Sequence, residues 1–285
     1  MRWRGRRSSQ NVEDRRGQRT AMPLRLGRGG GIGAIVIILV AMYFGIDPSA
    51  LLQGTSSGQR PAVSTYSETA TDKELVDFIS VVLADTEDTW HAIFRGMNGR
   101  YQEPQLVLFN DSVNSACGYA QAAVGPFYCP ADRKMYIDLS FYRDLRQRYR
   151  APGDFAQAYV LAHEVGHHVQ TLLGISQKVN ELRQTASTSM ANALSVRQEL
   201  QADCFAGIWA HHAHRSRQLL EEGDIEEALT AASAIGDDRL QRQAQGYVTP
   251  ESFTHGSSEQ RMRWFNAGWK SGKLSVCDTF SLNNI

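Results

Sequence analysis

The chain has 285 residues, 42% of them hydrophobic, and its 30 basic residues balance 30 acidic ones. These totals bound it to one sizeable globular domain with appendages, or to two small domains. The zero net charge hides an asymmetry, because residues 1–28 carry nine Arg against only Glu13 and Asp14.

Such an arm on its own would suggest nucleic acid or lipid headgroups, but the stretch after it gives the arginines another role, and no nucleic-acid partner is expected. Residues 29–46 carry no charge, and Ile32 to Phe44 are almost wholly apolar. This is short against the ~20 residues that usually span a bilayer. The Arg-rich flank on one side and Tyr43-Phe44 on the other nevertheless suit one transmembrane helix with its N-terminus in the cytoplasm. No small-x-small cleavage site follows to favour a signal peptide. The reading is therefore a basic cytoplasmic segment (1–28), an uncleaved membrane anchor (29–46), a flexible Ser/Thr/Gly/Pro-rich tether (47–70), and a folded domain (71–285) outside the cytoplasm.

Thr71-x-x-Glu74 matches a capping box, and Leu75, Phe78, Ile79, Val82 and Leu83 follow at helical spacing, with continuation through Trp90, Ile93 and Phe94. Residues 104–109 read as a strand, the chain turns around Gly125 to Pro130, and Lys134 to Leu139 read as a second strand. Beyond Phe141 the pattern is helical. The fold class is α+β: a small N-terminal sheet followed by helices. The segment Arg133 to Leu139 is the candidate sheet edge, to which an extended substrate could add by main-chain hydrogen bonds; an ordinary strand of the sheet is the alternative.

Cys117, Cys129, Cys204 and Cys277 form no C-x-x-C pair, which argues against a zinc knuckle. Outside the cytoplasm an even count suggests two disulfides, with three pairings possible. Cys117 with Cys129 closes a short loop, and Cys204 with Cys277 ties the C-terminal tail to a helix; four buried free thiols are the alternative.

The most informative stretch runs from Ala158 to Gln170 and contains His163-Glu164-Val165-Gly166-His167. Residues four apart share a helix face, so both imidazoles can reach one ion. Glu164 can reach a water on that ion and act as general base, the pattern of zinc proteases. Phe155, Tyr159, Val160, Ala162, Val165, Val169 and Leu172 supply a buried stripe, and Gly174 a stop. A catalytic zinc needs a third protein ligand. The helix predicted over 196–209 offers Glu199, with Asp203 one turn on to accept the free ring N–H of a ligand histidine. His168 points about 100° away and is read as a surface or packing residue. His211, His212 and His214 sit near a helix end, where they favour exposed carbonyls.

This set resembles the gluzincin arrangement, in which a Glu on a second helix completes the zinc site. It is closer still to a bacterial family, the putative neutral zinc metallopeptidases, through Cys117-Gly118, Gly125 to Pro130, Tyr136 to Leu139, and Phe253 to Arg261. The resemblance covers roughly residues 70–280. It implies a mostly helical zincin-like domain, bound Zn2+, a protein or peptide substrate, and a single-pass inner-membrane anchor with the domain extracytoplasmic. Phe253 to Trp264 also resembles the Thr-His-Pro…Glu-x-Arg segment of membrane-linked gluzincins, with Gly256 where those have Pro. That likeness implies that His255 or Arg261 donates to the oxyanion; a helix cap at Ser257 or Ser258 is the plainer reading. The function expected is an anchored zinc endopeptidase using Glu164 as base, and the alternative is an anchored zinc-containing binding or scaffold module.

Overall fold

A computed structural model of the chain describes residues 1–18 and 68–281. The expected anchor (29–46) and most of the tether lie outside these residues. Among the described residues no helix is long and apolar enough to cross a membrane.

The α+β expectation holds, with eight α-helices and a small sheet among the described residues. The main sheet runs β1 (Val12–Asp14), β2 (Gln105–Phe109), β6 (Lys134–Asp138), β5 (Phe127–Cys129) in spatial order. The first three strands are parallel and β5 is antiparallel to β6. Alternation sorts the strand side chains. Leu106, Leu108, Met135 and Ile137 join the main core under the helices, while Val107, Phe109 and Tyr136 form a second cluster with Val113 and Cys129. That second cluster lies on the side of a hairpin, β3 (Ser112–Ser115) with β4 (Gly118–Gln121).

Two expectations about the sheet need correction. The segment Arg133 to Leu139 is not an edge, because β6 is paired on both sides; among the described residues the edges are β1 and β5. The basic arm, over its described residues, is not separate from the domain, because Met1–Gln18 and Glu68–Ile285 form one compact unit. Val12, Glu13 and Asp14 pair with Leu106, Val107 and Leu108. Trp3 meets Phe78 edge-on. Arg7, Ser9 and Asn11 all bond the buried carboxylate of Glu87. Among the described residues, five of the arm's arginines meet counter-charges: Arg2 with Glu221, Arg4 with Glu74, Arg7 with Asp88, Arg15 with Glu13, and Arg16 with Asp14.

Helix α1 (Ala70–Gly96) starts two residues earlier than read, with Thr69 as N-cap and Asp72 closing the capping box. After α2 (Ser140–Gln147) come α3 (Asp154–Leu172), which carries the H-E-x-x-H motif, and α4 (Ile175–Thr185). Gly174 adopts φ 76° at the break between them, the stop read from the sequence. Next is the long α5 (Thr188–Arg217), then α6 (Asp224–Ala234), α7 (Asp237–Gln245) and α8 (Ser258–Ser271). Helix α5 packs between α3 and α8, so the two site-bearing helices lie side by side.

Both expected disulfides are present. Cys117–Cys129 pins the hairpin turn to the end of β5, and Cys204–Cys277 ties the C-terminal tail to α5.

Candidate metal centre

Gly166, inside the H-E-x-x-H motif, sets how close α5 can come to α3. A Cβ there would sit 2.9 Å from the carbonyl oxygen of Ala202, a contact no side chain sustains. The bare backbone lets the second helix approach until Glu199 reaches both histidines. Its Oε2 lies 3.1 Å from His163 Nε2 and its Oε1 3.4 Å from His167 Nε2. One donor atom from each of the three residues falls within 4.8 Å of the others.

The other face of each imidazole is held as a metal ligand requires. His163 Nδ1 lies 2.8 Å from Asp203 Oδ1, and His167 Nδ1 lies 2.9 Å from Gln170 Oε1. Both acceptors take the Nδ1 proton, so both Nε2 atoms turn toward Glu199. Two imidazole nitrogens and one carboxylate form the donor set of a catalytic zinc site. The residues therefore fit the ion that the motif implies.

Electrostatics agree. Burial works against charge on His163, but Asp203 and Glu199 outweigh it and push its pKa up to about 10. His167 is raised in the same way by Glu199, again against burial. Glu199, despite burial, is held well below its ordinary range by the two histidines. The centre attracts positive charge strongly, and a divalent ion entering it would release protons.

Asp203 is the hub of a buried network. Tyr159 Oη donates to Oδ1, while Arg261 Nε lies 2.9 Å from Oδ2 and Arg261 Nη2 2.9 Å from Oδ1. Burial opposes the Asp203 charge, but Arg261 and His163 hold its pKa down to about 2. The guanidinium of Arg261 is thus spent on Asp203, with Nη1 on the Ile235 carbonyl, and the expectation that it donates to an oxyanion gives way to a holding role.

Glu164 is buried, and burial raises its pKa against the opposing pull of His167 and His163. It lines a cleft of 480 Å³ together with His163, His167, Glu199 and His255. Phe127 and Tyr128 of the edge strand, with Phe141 and Tyr149, supply aromatic surface to the same cleft. His255 sits on the loop between α7 and α8. The Asp237 carboxylate accepts the backbone N–H groups of Thr254, His255 and Gly256 at 2.7, 2.7 and 3.1 Å, and lies 3.2 Å from His255 Nδ1. That bond raises the His255 pKa, with burial opposing it. Gly256 has φ 92°, which proline cannot adopt, so the likeness to the Thr-His-Pro segment stops at this backbone. The capping reading also holds, since Ser257 and Gln260 form the capping box of α8.

His168, His211 and His212 are structural. His168 is fully buried, with Nε2 2.6 Å from the Gln102 carbonyl and Nδ1 3.1 Å from Tyr128 Oη. It is a packing residue, not a surface one. His211 and His212 bond the carbonyls of Trp269 and Gly272, at the end of α8 and not of their own helix. A second acidic group, Asp154, Asp224 and Glu227, is met by the α-amine of Met1, 3.0 Å from Asp154 and 3.5 Å from Asp224.

Sequence reasoning missed Tyr159, Gln170 and Asp237. Tyr159 stands four residues before His163 and Gln170 three after His167, so helical spacing could have found both. Asp237 lies eighteen residues before His255, and no local pattern announces it.

The family described as putative neutral zinc metallopeptidase matches residues 1–280. The uncharacterized protein YpfJ of Escherichia coli (strain K12) is 52% identical over 286 residues, covering 98% of this chain and 99% of that protein. The uncharacterized protein Rv2575 of Mycobacterium tuberculosis (strain ATCC 25618 / H37Rv) is 39% identical over 258 residues, covering 86% of each. No solved structure matches the chain at a significant level.

Proposed function

The chain belongs to the putative neutral zinc metallopeptidase family, and from that premise we propose that it is a zinc-dependent endopeptidase whose centre is His163, His167 and Glu199, with Glu164 as general base. The observation that carries this reading is the convergence of those three donors beside a buried carboxylate, all lining one cleft. A purely structural zinc site has no use for Glu164, which disfavours the scaffold alternative.

When bound, the ion supplies Lewis acidity, polarising the scissile carbonyl and lowering the pKa of water beside it. The protein's own groups do the rest. Glu164 takes the proton of the attacking water and passes it to the leaving amine. Its raised pKa suits that traffic, because a carboxylate poised closer to neutrality both accepts and returns a proton. Asp203 and Gln170 fix the tautomers of His163 and His167. His255, whose protonated form the bond to Asp237 favours, donates to the oxygen that gains negative charge in the tetrahedral state. The unpaired side of edge strand β5 offers main-chain groups to an extended substrate, which then lies along the cleft. An interior run of peptide threaded in this way is cut internally, hence an endopeptidase. The two disulfides support work in an oxidising, extracytoplasmic compartment.

The test is metal content and casein cleavage by the purified full chain beside Glu199→Ala. The reading expects one zinc per chain and cleavage in wild type, with both lost in the variant. Wild-type protein that binds no zinc would refute it.

A further inference from the structure

The two zinc-facing histidines are supported in different ways. His163 leans on an anion, Asp203, but His167 leans on a neutral amide, Gln170. An amide is two-faced: its oxygen accepts and its nitrogen donates, and a half-turn about the last side-chain bond exchanges them. Turned the wrong way, Gln170 would present N–H groups to His167 Nδ1 and favour the tautomer that withdraws Nε2 from the metal. Something must fix its orientation.

Further bonds do so in series. Gln170 is fully buried, and its Nε2 donates to the Gln198 carbonyl at 2.7 Å and to Gln201 Oε1 at 3.1 Å. Gln201 is itself two-faced and buried, and its Nε2 donates to the Cys277 carbonyl at 2.9 Å. A backbone carbonyl only accepts, so the series has one direction. The orientation of Gln201 is set at Cys277, that of Gln170 at Gln201 and the Gln198 carbonyl, and the tautomer of His167 at Gln170. Cys277 is held on α5 by its disulfide to Cys204, one turn beyond Gln201. Arg197, one turn before Gln201, bonds the Thr279 carbonyl, and Thr279 Oγ1 donates to the Arg197 carbonyl at 2.7 Å. Arg197, Gln201 and Cys204 therefore form a single stripe that clasps the C-terminal tail.

We propose that Gln170 and Gln201 are positioning residues for His167, and that the Cys204–Cys277 disulfide acts on the metal centre through them by holding the Cys277 carbonyl in place. The inference rests on the zinc peptidase reading. It makes the tail part of the site's support and gives this disulfide a role that Cys117–Cys129, at the hairpin, does not share.

The experiment measures the zinc dissociation constant, by competition with a chromogenic chelator, in the full chain. Wild type is compared with Gln170→Leu, Gln201→Leu, Cys204→Ser/Cys277→Ser, and the disulfide variant combined with Gln170→Leu. Circular dichroism first establishes that each is folded at the assay temperature. Loss of an outer partner of a ligand histidine weakens zinc by about 10- to 100-fold, and each single change is expected in that range. The combination decides the matter: with Gln170 gone, losing the disulfide should weaken zinc by less than about twofold further, because coupled positions do not add. If the disulfide variant weakens zinc equally with and without Gln170, the bridge acts on general stability and the proposal is overturned. Unchanged affinity in both Gln variants overturns it as well. Should Gln170→Leu not fold, the Gln201→Leu combination gives the same comparison. Wild-type protein without zinc removes the peptidase reading itself, a result distinct from zinc-bound protein indifferent to Gln170.

Discussion

Neutralising Asp203 tests the buried network most sharply. Asp203 is fully buried and Arg261 is 3% exposed, so Asp203→Asn leaves a guanidinium in the interior without its counter-charge. The depression of Asp203 from 3.8 to about 2, set by Arg261 and His163 against burial, corresponds alone to about 2.5 kcal/mol at neutral pH. Stranding the charge of Arg261 brings the cost to about 3–5 kcal/mol. For a domain of this size that lowers Tm by roughly 6–20 °C. The sign with pH follows: a carboxylate with a depressed folded pKa stabilises above its unfolded value of 3.8, and that stability is lost as pH falls through about 2. Scanning calorimetry of the metal-free protein reads the effect. Asp203→Asn/Arg261→Met removes both charges and should recover at least half of the lost stability, while zinc binding stays weakened by about tenfold because His163 has lost its anionic partner. An Asp203→Asn variant within about 1 kcal/mol of wild type, or a double variant no more stable than the single, would refute the reasoning.

His168 should make the fold acid-sensitive. Burial lowers its pKa from 6.5 to about 4, so the unfolded chain takes up a proton first, and stability present above pH 6.5 is lost as pH falls toward 4. Denaturant unfolding at pH 7 and 4.5 should show an acid loss about 2–3 kcal/mol larger in wild type than in His168→Gln; equal losses would remove His168 as a cause. His255→Ala should lower kcat about 100-fold with zinc retained, as loss of an oxyanion donor does. Because Asp237 raises the His255 pKa, the protonated donor disappears as pH rises through that raised value. Asp237→Asn should therefore shift the alkaline limb of the activity profile to lower pH, and an unmoved limb would exclude His255 as the titrating donor.

How far the fold was legible in the sequence depended on how local each signal was. His163 and His167 share one helix face with Glu164 beside them, so spacing alone brought them together, and Glu199 and Asp203 followed from the same rule on α5. Strands 105–109 and 134–138 were visible as apolar runs. That neither of them is an edge was not, because strand order depends on pairing between distant segments; edge strand β5, only three residues long, was hidden in a Gly- and Pro-bounded turn. The N-terminal arm misled for a related reason. Arg2, Arg4 and Arg7 look unpaired in sequence, yet their partners Glu74, Glu87, Asp88 and Glu221 lie 70 to 219 residues away. In sequence Arg261 stands beside His255 as an alternative oxyanion donor because its partner Asp203, though itself singled out, sits 58 residues before it. Charge pattern reports where charges are, and only the fold reports which ones are already satisfied.

The central claim is that Glu164 performs chemistry at a metal held by other residues, and Glu164→Gln in the full chain addresses it directly. Zinc content and cleavage of casein or a peptide library are measured together for wild type and variant. The account predicts one zinc per chain in both, with turnover in wild type and at least about 100-fold less in the variant. Zinc retained with undiminished cleavage in Glu164→Gln would contradict it.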